Sequence, residues 1–203
     1  MAMTTYPLRC QCGTVRGVLA HLEKANRVVC YCHDCQAFPH VLGQASRVLD
    51  ARGGSEIIQV LPKNLTFLQG AEALACLRLT PKGLLRWHSA CCRTPIGNTL
   101  ATGKMSFIGL VHSCLDDDGG SRDEAFGPVR SWVHTRGARG EPKPKEAGMG
   151  TAVGWFLRTT LRARLNGDYK LTPFFKADTG APVAVPRVLS AEEHAQVMAA
   201  VRR

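Results

Sequence analysis

The sequence has few aromatic residues and no long hydrophobic run, and both absences narrow the class of protein. Phe, Trp and Tyr make up only 6% of the 203 residues, and no alternation of arginine with aromatic residues indicates a base-stacking platform. No apolar run approaches the roughly 20 residues that a membrane-spanning helix needs. The N-terminus lacks a secretory signal, and the chain lacks a glycine-rich phosphate loop. We therefore expect a cytoplasmic protein that does not bind membranes.

The composition that is present favours a globular core with a basic surface. Hydrophobic residues form 45% of the chain, enough for one domain with an appendage. Lysine and arginine total 26 against 16 acidic residues, which gives a formal net charge of +10. Such a surface attracts anions, so we expect nucleic-acid binding to be weak and non-specific if it occurs. Nine cysteines without a secretion signal predict reduced or metal-bound thiols.

Three cysteines stand close together in the segment Cys30-Tyr-Cys32-His-Asp-Cys35. A strand that ends at Cys32 would direct the first two thiols to one face, and a turn would return the third. Zinc takes three protein ligands and keeps an open position in catalytic sites, whereas structural sites are closed by four. The sequence leaves the fourth position open. Water could fill it, as could one of several residues: His33, Asp34, Cys76 or Cys114.

A second set of cysteines predicts a second metal site. Cys10 and Cys12 repeat the strand-like spacing, and Gly13 suits a tight turn that brings backbone amides close to ligand sulfurs. Cys91 and Cys92 lie far downstream and are adjacent, although zinc knuckles usually separate their cysteines by two residues. Three interpretations stay open: both bind, Cys91 pairs with His88 in a knuckle, or one of the two is a buried thiol.

The order and spacing of these motifs resemble the glutathione-dependent formaldehyde-activating enzyme and centromere protein V family. The similarity rests on a C-x-C-G-x-V entry, a C-x-C-x-x-C centre, and a late cysteine before Thr94-Pro95-Ile96. It runs from about residue 8 to about residue 111. It implies a mainly β fold of the two-sheet β-tent type. It also implies a structural zinc at Cys10, Cys12 and Cys92, with Ser89 or His88 where the family usually has a further cysteine, and a more accessible zinc at Cys30, Cys32 and Cys35.

The resemblance further implies one or two zinc ions and a small-molecule thiol partner such as glutathione. The activity would be that of a carbon-sulfur lyase on thiol adducts of aldehydes, at an open three-cysteine site. His33 is a candidate general base there, because histidine titrates near neutral pH. The alternative is a non-catalytic, zinc-stabilised binding or chaperone-like module with a basic surface. A redox switch at Cys35 or at Cys91 and Cys92 is disfavoured, because metal ligation blunts thiol oxidation.

The chain divides into a zinc-binding β domain over residues 1–130 and a linker with a helical extension over 131–203. The extension is expected to contain about two helices, one over 151–165 and one that opens at the capping box of Ser190 and Glu193. His112 and Cys114 could face the reactive zinc together, whereas His40 and His134 are interpreted as incidental. Turn residues separate seven predicted strands: 14–19, 27–32, 56–60, 65–68, 74–79, 84–88 and 105–112.

Overall fold

The structure is a computed structural model that describes residues 4–116, 118 and 120–202. The strands are β1 Thr5–Arg9, β2 Arg16–Ala20, β3 Asn26–Cys30, β4 Ser55–Val60, β5 Leu65–Gln69, β6 Leu74–Arg78, β7 Leu85–Ser89, β8 Pro95–Thr99, β9 Ile108–Val111, β10 Ser131–Val133 and β11 Arg187–Val188. The α-helices are α1 His33–Val41, α2 Ala45–Val48, α3 Arg122–Phe126, α4 Met149–Leu165 and α5 Ala191–Arg202.

The strands form two sheets, which confirms the prediction of a mainly β fold. The small sheet has the order β1-β2-β5, and the large sheet has the order β10-β3-β4-β9-β8-β7-β6-β11. Pairing is antiparallel except at the two edges of the large sheet, where β10 and β11 run parallel to β3 and β6. Within the described residues, no helix is long and apolar enough to cross a membrane.

The main core lies between the two sheets. Leu8 and Leu19 of the small sheet are fully buried, and so are Ile58, Trp87 and Leu110 of the large sheet. Side chains alternate between the faces of a strand, so each of these residues has neighbours that point to the opposite face. Full burial of one such side chain stabilises the folded state by about 1.5–3 kcal/mol relative to leaving it exposed. The opposite face of the large sheet is therefore free to receive helices.

Helices cover this second face in two places. Phe38 of α1 and Val197 of α5 pack with Val111 of β9. Ala152 of α4 packs instead over Val28 of β3, in a separate apolar cluster. The seam between these two clusters is where the C-terminal end of β3 passes into α1.

Both C-terminal helices were predicted, and α4 packs through small side chains while it exposes its leucines. The capping box is present, because the Glu193 N–H donates to Ser190 Oγ at 3.1 Å and the Ser190 N–H donates to Glu193 Oε2 at 2.8 Å. The buried residues of α4 include Ala152 and Ala163. Its leucines are more than half exposed: Leu157, Leu161 and Leu165.

The segment after residue 130 is joined to the β domain at several points. Ser131 pairs with Val28 in the parallel β10–β3 ladder, and β11 extends the opposite edge of the sheet. Phe174 is fully buried, and its ring centroid lies 5.0 Å from that of Trp87 in the main core. The segment predicted as linker and extension thus contributes both strands and core residues.

Candidate metal centres

Four cysteines meet at one end of the main core, and we call them the four-thiol group: Cys10, Cys12, Cys91 and Cys92. All four sulfur atoms lie within 4.8 Å of one another. The Cys12 and Cys91 sulfurs are 3.2 Å apart, and those of Cys10 and Cys91 are 3.8 Å apart. Tetrahedral zinc with Zn–S bonds near 2.3 Å requires sulfurs about 3.8 Å apart. The spacing fits a four-coordinate zinc shell, and all nine cysteines of the chain are free thiols.

The first half of this group sits in a turn, so the predicted strand-like pairing of Cys10 and Cys12 is wrong. Strand β1 ends before Cys10, and the Gly13 N–H donates to the Cys10 carbonyl at 2.8 Å. Gly13 has a φ of 78°, a conformation that glycine adopts without strain. The Val15 N–H then donates to Cys10 Sγ at 3.2 Å. The turn therefore brings a backbone amide to a ligand sulfur, as predicted from Gly13.

The second half brings the sulfurs of both adjacent cysteines into the group. Ser89 is not a member of the group but supports it, since its Oγ lies 3.3 Å from Cys92 Sγ. Burial opposes ionisation of Cys92, but hydrogen bonds from Ser89 and Thr94 hold the pKa of this thiol at about 5. The alternative knuckle with His88 is not formed, because His88 lies outside the group.

The other set is the three-thiol group of Cys30, Cys32 and Cys35, whose sulfurs also lie within 4.8 Å of one another. The predicted strand through Cys32 and the turn after it are wrong. Strand β3 ends at Cys30, and Cys32 is the N-cap of α1. The Cys35 N–H donates to Cys32 Sγ at 3.4 Å. The sulfurs thus converge because a helix begins here, with Cys35 one turn along it.

Electrostatics favour a negative charge on this group. Hydrogen bonds from Cys30 and Cys35 lower the pKa of Cys32 to about 2, and the positive charge of Arg86 acts in the same direction. The Arg86 guanidinium is almost fully buried; it donates to Asp34 Oδ2 at 3.3 Å and lies 5.5 Å from the centre of the Phe38 ring. A helix N-terminus also favours an anion. A thiolate suited to metal binding is therefore built into the group.

Two cavities meet at the three-thiol group. The polar cavity, of about 730 Å³, is lined by Cys32, His33, Arg136 and Glu146, among others. The apolar cavity, of about 350 Å³, is lined by Cys30 and Cys35 together with mainly hydrophobic side chains. Among the described residues, no His, Asp or Glu side chain joins the three thiols as a fourth ligand. A small molecule has access to the group from both sides.

A search of curated proteins found no match to this sequence. A family model described as "Family of unknown function (DUF6151)" matches residues 2–185. The chain belongs to this family. Among solved structures it is similar to the crystal structure of a Rhodobacter sphaeroides protein, with 18% identity and a TM-score of 0.40, covering 63% of this chain and 99% of that chain.

One residue at the site of this DUF6151 protein was not predicted from its sequence. His134, which was interpreted as incidental, lines both the polar and the apolar cavity. Its φ of 57° and ψ of 36° are left-handed, a conformation that is uncommon outside glycine and that often occurs at functional sites. It follows β10, a three-residue strand with no sequence signal. Only the pairing of β10 with β3 brings it to the thiols.

The remaining thiol candidates lie elsewhere in the DUF6151 fold. Cys76 and Cys114 are buried in the main core, and burial raises the pKa of Cys76 to about 12 and that of Cys114 further. Neither joins the three-thiol group. His112 lines a different cavity, beside Cys10, and its Nδ1 lies 3.4 Å from the Glu56 carbonyl oxygen. The predicted approach of His112 and Cys114 to the reactive site is therefore wrong.

Proposed function

We propose that this protein holds a structural zinc at the four-thiol group and binds thiol compounds at a zinc in the three-thiol group. The observation that carries the proposal is the difference in the number of thiols, which is four in one group and three in the other. Four thiols supply a complete tetrahedral shell. Three thiols leave one position for a ligand, and they lie where two cavities meet.

At the reactive site, zinc would lower the pKa of an incoming thiol and hold it as a thiolate. Cys30, Cys32 and Cys35 would hold the ion. His33 lines the same polar cavity as Cys32 and is placed to accept the proton that the incoming thiol releases. Arg136 lines this cavity too, and its fixed positive charge suits a carboxylate such as those of glutathione.

The reaction class that we propose is carbon-sulfur bond cleavage or formation between a thiol such as glutathione and an aldehyde. The motif resemblance to the glutathione-dependent formaldehyde-activating enzyme family supports this class, as does the β fold with two thiol groups. The nine free thiols suit a reducing compartment, and we propose that the protein acts in the cytoplasm.

A second candidate function is a non-catalytic binding module that zinc stabilises. The observation in its favour is the row of leucines that α4 exposes, flanked by Arg158 and Arg162. An exposed apolar stripe of this kind often contacts a partner. In this case both ions would serve stability, and the three-thiol group would have no affinity for thiols.

Metal analysis combined with calorimetry separates the two candidates. We expect protein purified without added metal to contain two zinc ions per chain, one held tightly and one loosely. Glutathione should bind to the parent and to Cys76→Ala, which removes a core thiol outside both groups, but not to Cys32→Ser. Absence of zinc, or an iron-sulfur absorption spectrum, contradicts the two-site proposal. Zinc at both sites without any affinity for glutathione favours the binding module.

A further inference from the structure

One row of residues crosses five neighbouring strands of the large sheet at the apolar cavity. Asn26 pairs with Gln59, Gln59 with Gly109, Gly109 with Asn98, and Asn98 with Arg86. Residues that pair directly across strands point to the same face. Four polar side chains therefore stand in a line on the helix-covered face, with a glycine at the centre.

The outer members of the row orient the two inner amides. Arg86 Nη1 donates to Asn98 Oδ1 at 3.1 Å. Because a guanidinium can only donate, the Asn98 oxygen must face it and the Asn98 NH₂ group must face away. On the other side, Asn26 Nδ2 donates to Gln59 Oε1 at 2.7 Å, so the Gln59 NH₂ group also faces away from its outer neighbour. No group in the described part of the chain accepts a hydrogen bond from Asn98 Nδ2 or Gln59 Nε2.

Gly109 keeps a gap between these two NH₂ groups. It lies one strand from Gln59 on one side and one strand from Asn98 on the other, so the amides stand about 10 Å apart at their backbones. A Cβ atom at this position would fall 2.7 Å from Ile57 Cγ2, closer than the packing allows. Ile57 therefore reaches over Gly109, and the two donors face a ligand through the apolar cavity that Gln59, Gly109 and Asn98 all line.

The surroundings of this gap are apolar except at the three-thiol group and His134. Gln59, Gly109 and Asn98 all line the apolar cavity, and so do Cys30 and Cys35. Much of the remaining lining is hydrophobic: Val28, Ile57, Leu84, Leu100, Phe107 and Phe156. The two NH₂ groups without a protein acceptor are the hydrogen-bond donors that this cavity offers to a ligand.

We infer that the NH₂ groups of Asn98 and Gln59 bind the oxygen of an aldehyde-derived group whose substituent is apolar. The ligand is the adduct that a thiol forms with such an aldehyde in solution, in which the thiol proton has moved to the former carbonyl oxygen. Its hydroxyl oxygen accepts from the two amides, its sulfur lies at the three-thiol group, and its apolar chain fills the cavity. This inference rests on the proposed function, because it places the sulfur at the three-thiol group.

The test compares glutathione alone with mixtures of glutathione and formaldehyde, butanal or hexanal, by calorimetry on zinc-loaded protein. We expect affinity to rise about fourfold for each added methylene until the cavity is full. Asn98→Asp and Gln59→Glu keep the acceptor for Arg86 or Asn26 but replace the donor with an oxygen. Each should weaken binding of the hexanal adduct at least about tenfold and leave binding of glutathione alone unchanged.

Two glycine variants provide the matched control. Gly109→Ala closes the gap and should weaken adduct binding, whereas Gly150→Ala adds a methyl group that meets no atom within 4 Å and should not. Melting curves identify any variant that loses its fold. If glutathione binds but neither chain length nor Asn98→Asp changes adduct affinity, the inference is overturned and the proposed function stands. If glutathione does not bind at all, both fail.

Discussion

The four-thiol group lies at the end of the main core, where Cys12 and Cys91 are exposed and Cys10 lines a polar cavity, whereas the three-thiol group lies under helices and faces two cavities. Both sets of sulfurs are close enough for one ion. They differ in what surrounds them: Ser89, Thr94 and a backbone amide surround the first, while a buried arginine and two cavities surround the second. Similar ligand atoms can therefore serve stability in one place and ligand exchange in the other.

Removing one ligand from each group gives the largest expected difference. The free energy of zinc binding is about 10–16 kcal/mol in small zinc-finger peptides. The free energy of unfolding of a whole domain is of similar size, about 5–15 kcal/mol. We expect Cys12→Ser to unfold or aggregate. Cys32→Ser should melt within about 2–4 °C of the parent, because an ion with an exchangeable position need not be the main source of stability.

Thermal melting with and without chelator measures this difference, and Cys76→Ala shows the cost of losing a thiol that binds nothing. Equal destabilisation by Cys12→Ser and Cys32→Ser would mean that the three-thiol group is structural as well. The comparison between the groups would then fail, and with it the proposal of a reactive site.

Gradual chelation should remove the ion from the three-thiol group first and from the four-thiol group second. We expect three thiols to become reactive first, without unfolding, because three protein ligands would hold an ion less tightly than four. Four more should follow at higher chelator concentration, together with loss of structure. A thiol-reactive dye and circular dichroism followed in the same sample give the two curves. Simultaneous release of all seven thiols would contradict the order, and Cys32→Ser should lack the first step.

A smaller effect is expected at the helix that supports the three-thiol side. Helix α5 packs on α1 through Val197 and Phe38, and Ser190 caps its N-terminus. Ser190→Ala should lower the free energy of unfolding by about 1 kcal/mol, because it removes the N-cap of this helix. Hydrogen exchange should increase in α1 and α5 but not near the four-thiol group. Equal increases at both groups would show that the two sides do not unfold separately.

Acidification should destabilise the same helix, α5, through the loss of the charge on Glu193. The Ser190 N–H donates to Glu193, and Arg187 is also close, so the pKa of Glu193 is lowered from its ordinary value of 4.5. A lowered pKa means that the charged carboxylate stabilises the folded state. This contribution is complete above pH 4.5 and is lost as pH falls below it. Glu193→Gln should exchange faster than the parent above pH 4.5, and the difference should shrink below it.

The smallest effect is expected on nucleic-acid binding, which belongs to neither group. The net charge of +10 predicts weak, sequence-independent affinity that falls steeply with salt. Cys32→Ser should not change it. Fluorescence anisotropy with random duplex at several salt concentrations measures it. Affinity that survives high salt and depends on sequence would instead favour the binding module.

Much of the fold was predictable where the sequence carries a local signal. The alternation of residues predicted the central strands, and the Ser190 capping box predicted α5. The spacing of the cysteines predicted which residues come together, Cys91 and Cys92 included. Helix α1 was not predicted, because Pro39 lies within it and the residues between Cys32 and Cys35 were interpreted as a turn. Strand β8 was also missed, because Pro95-Ile-Gly-Asn-Thr99 has low strand propensity and is fixed by burial between β7 and β9.

Long-range pairing explains two further features that were missed, strand β10 and the row of polar residues across the large sheet. Strand β10 has three residues, and its position depends on parallel pairing with β3, about a hundred residues earlier. That pairing brings His134 to the cavities. The row of polar residues across the large sheet was also not predicted. Its members come from five strands, and only the register of strand pairing aligns them.

The sequence separation of the ligands sets an order of events during synthesis. Cys30, Cys32 and Cys35 leave the ribosome together, whereas Cys10 must wait for Cys91, which is 81 residues further along the chain. By loop-closure entropy, bringing such distant ends together costs about 2.5 kcal/mol more than closing a five-residue loop. A nascent chain can therefore take up metal at the three-thiol group long before the four-thiol group exists. The site that we expect to release its ion first in the folded protein is the one that can acquire an ion first.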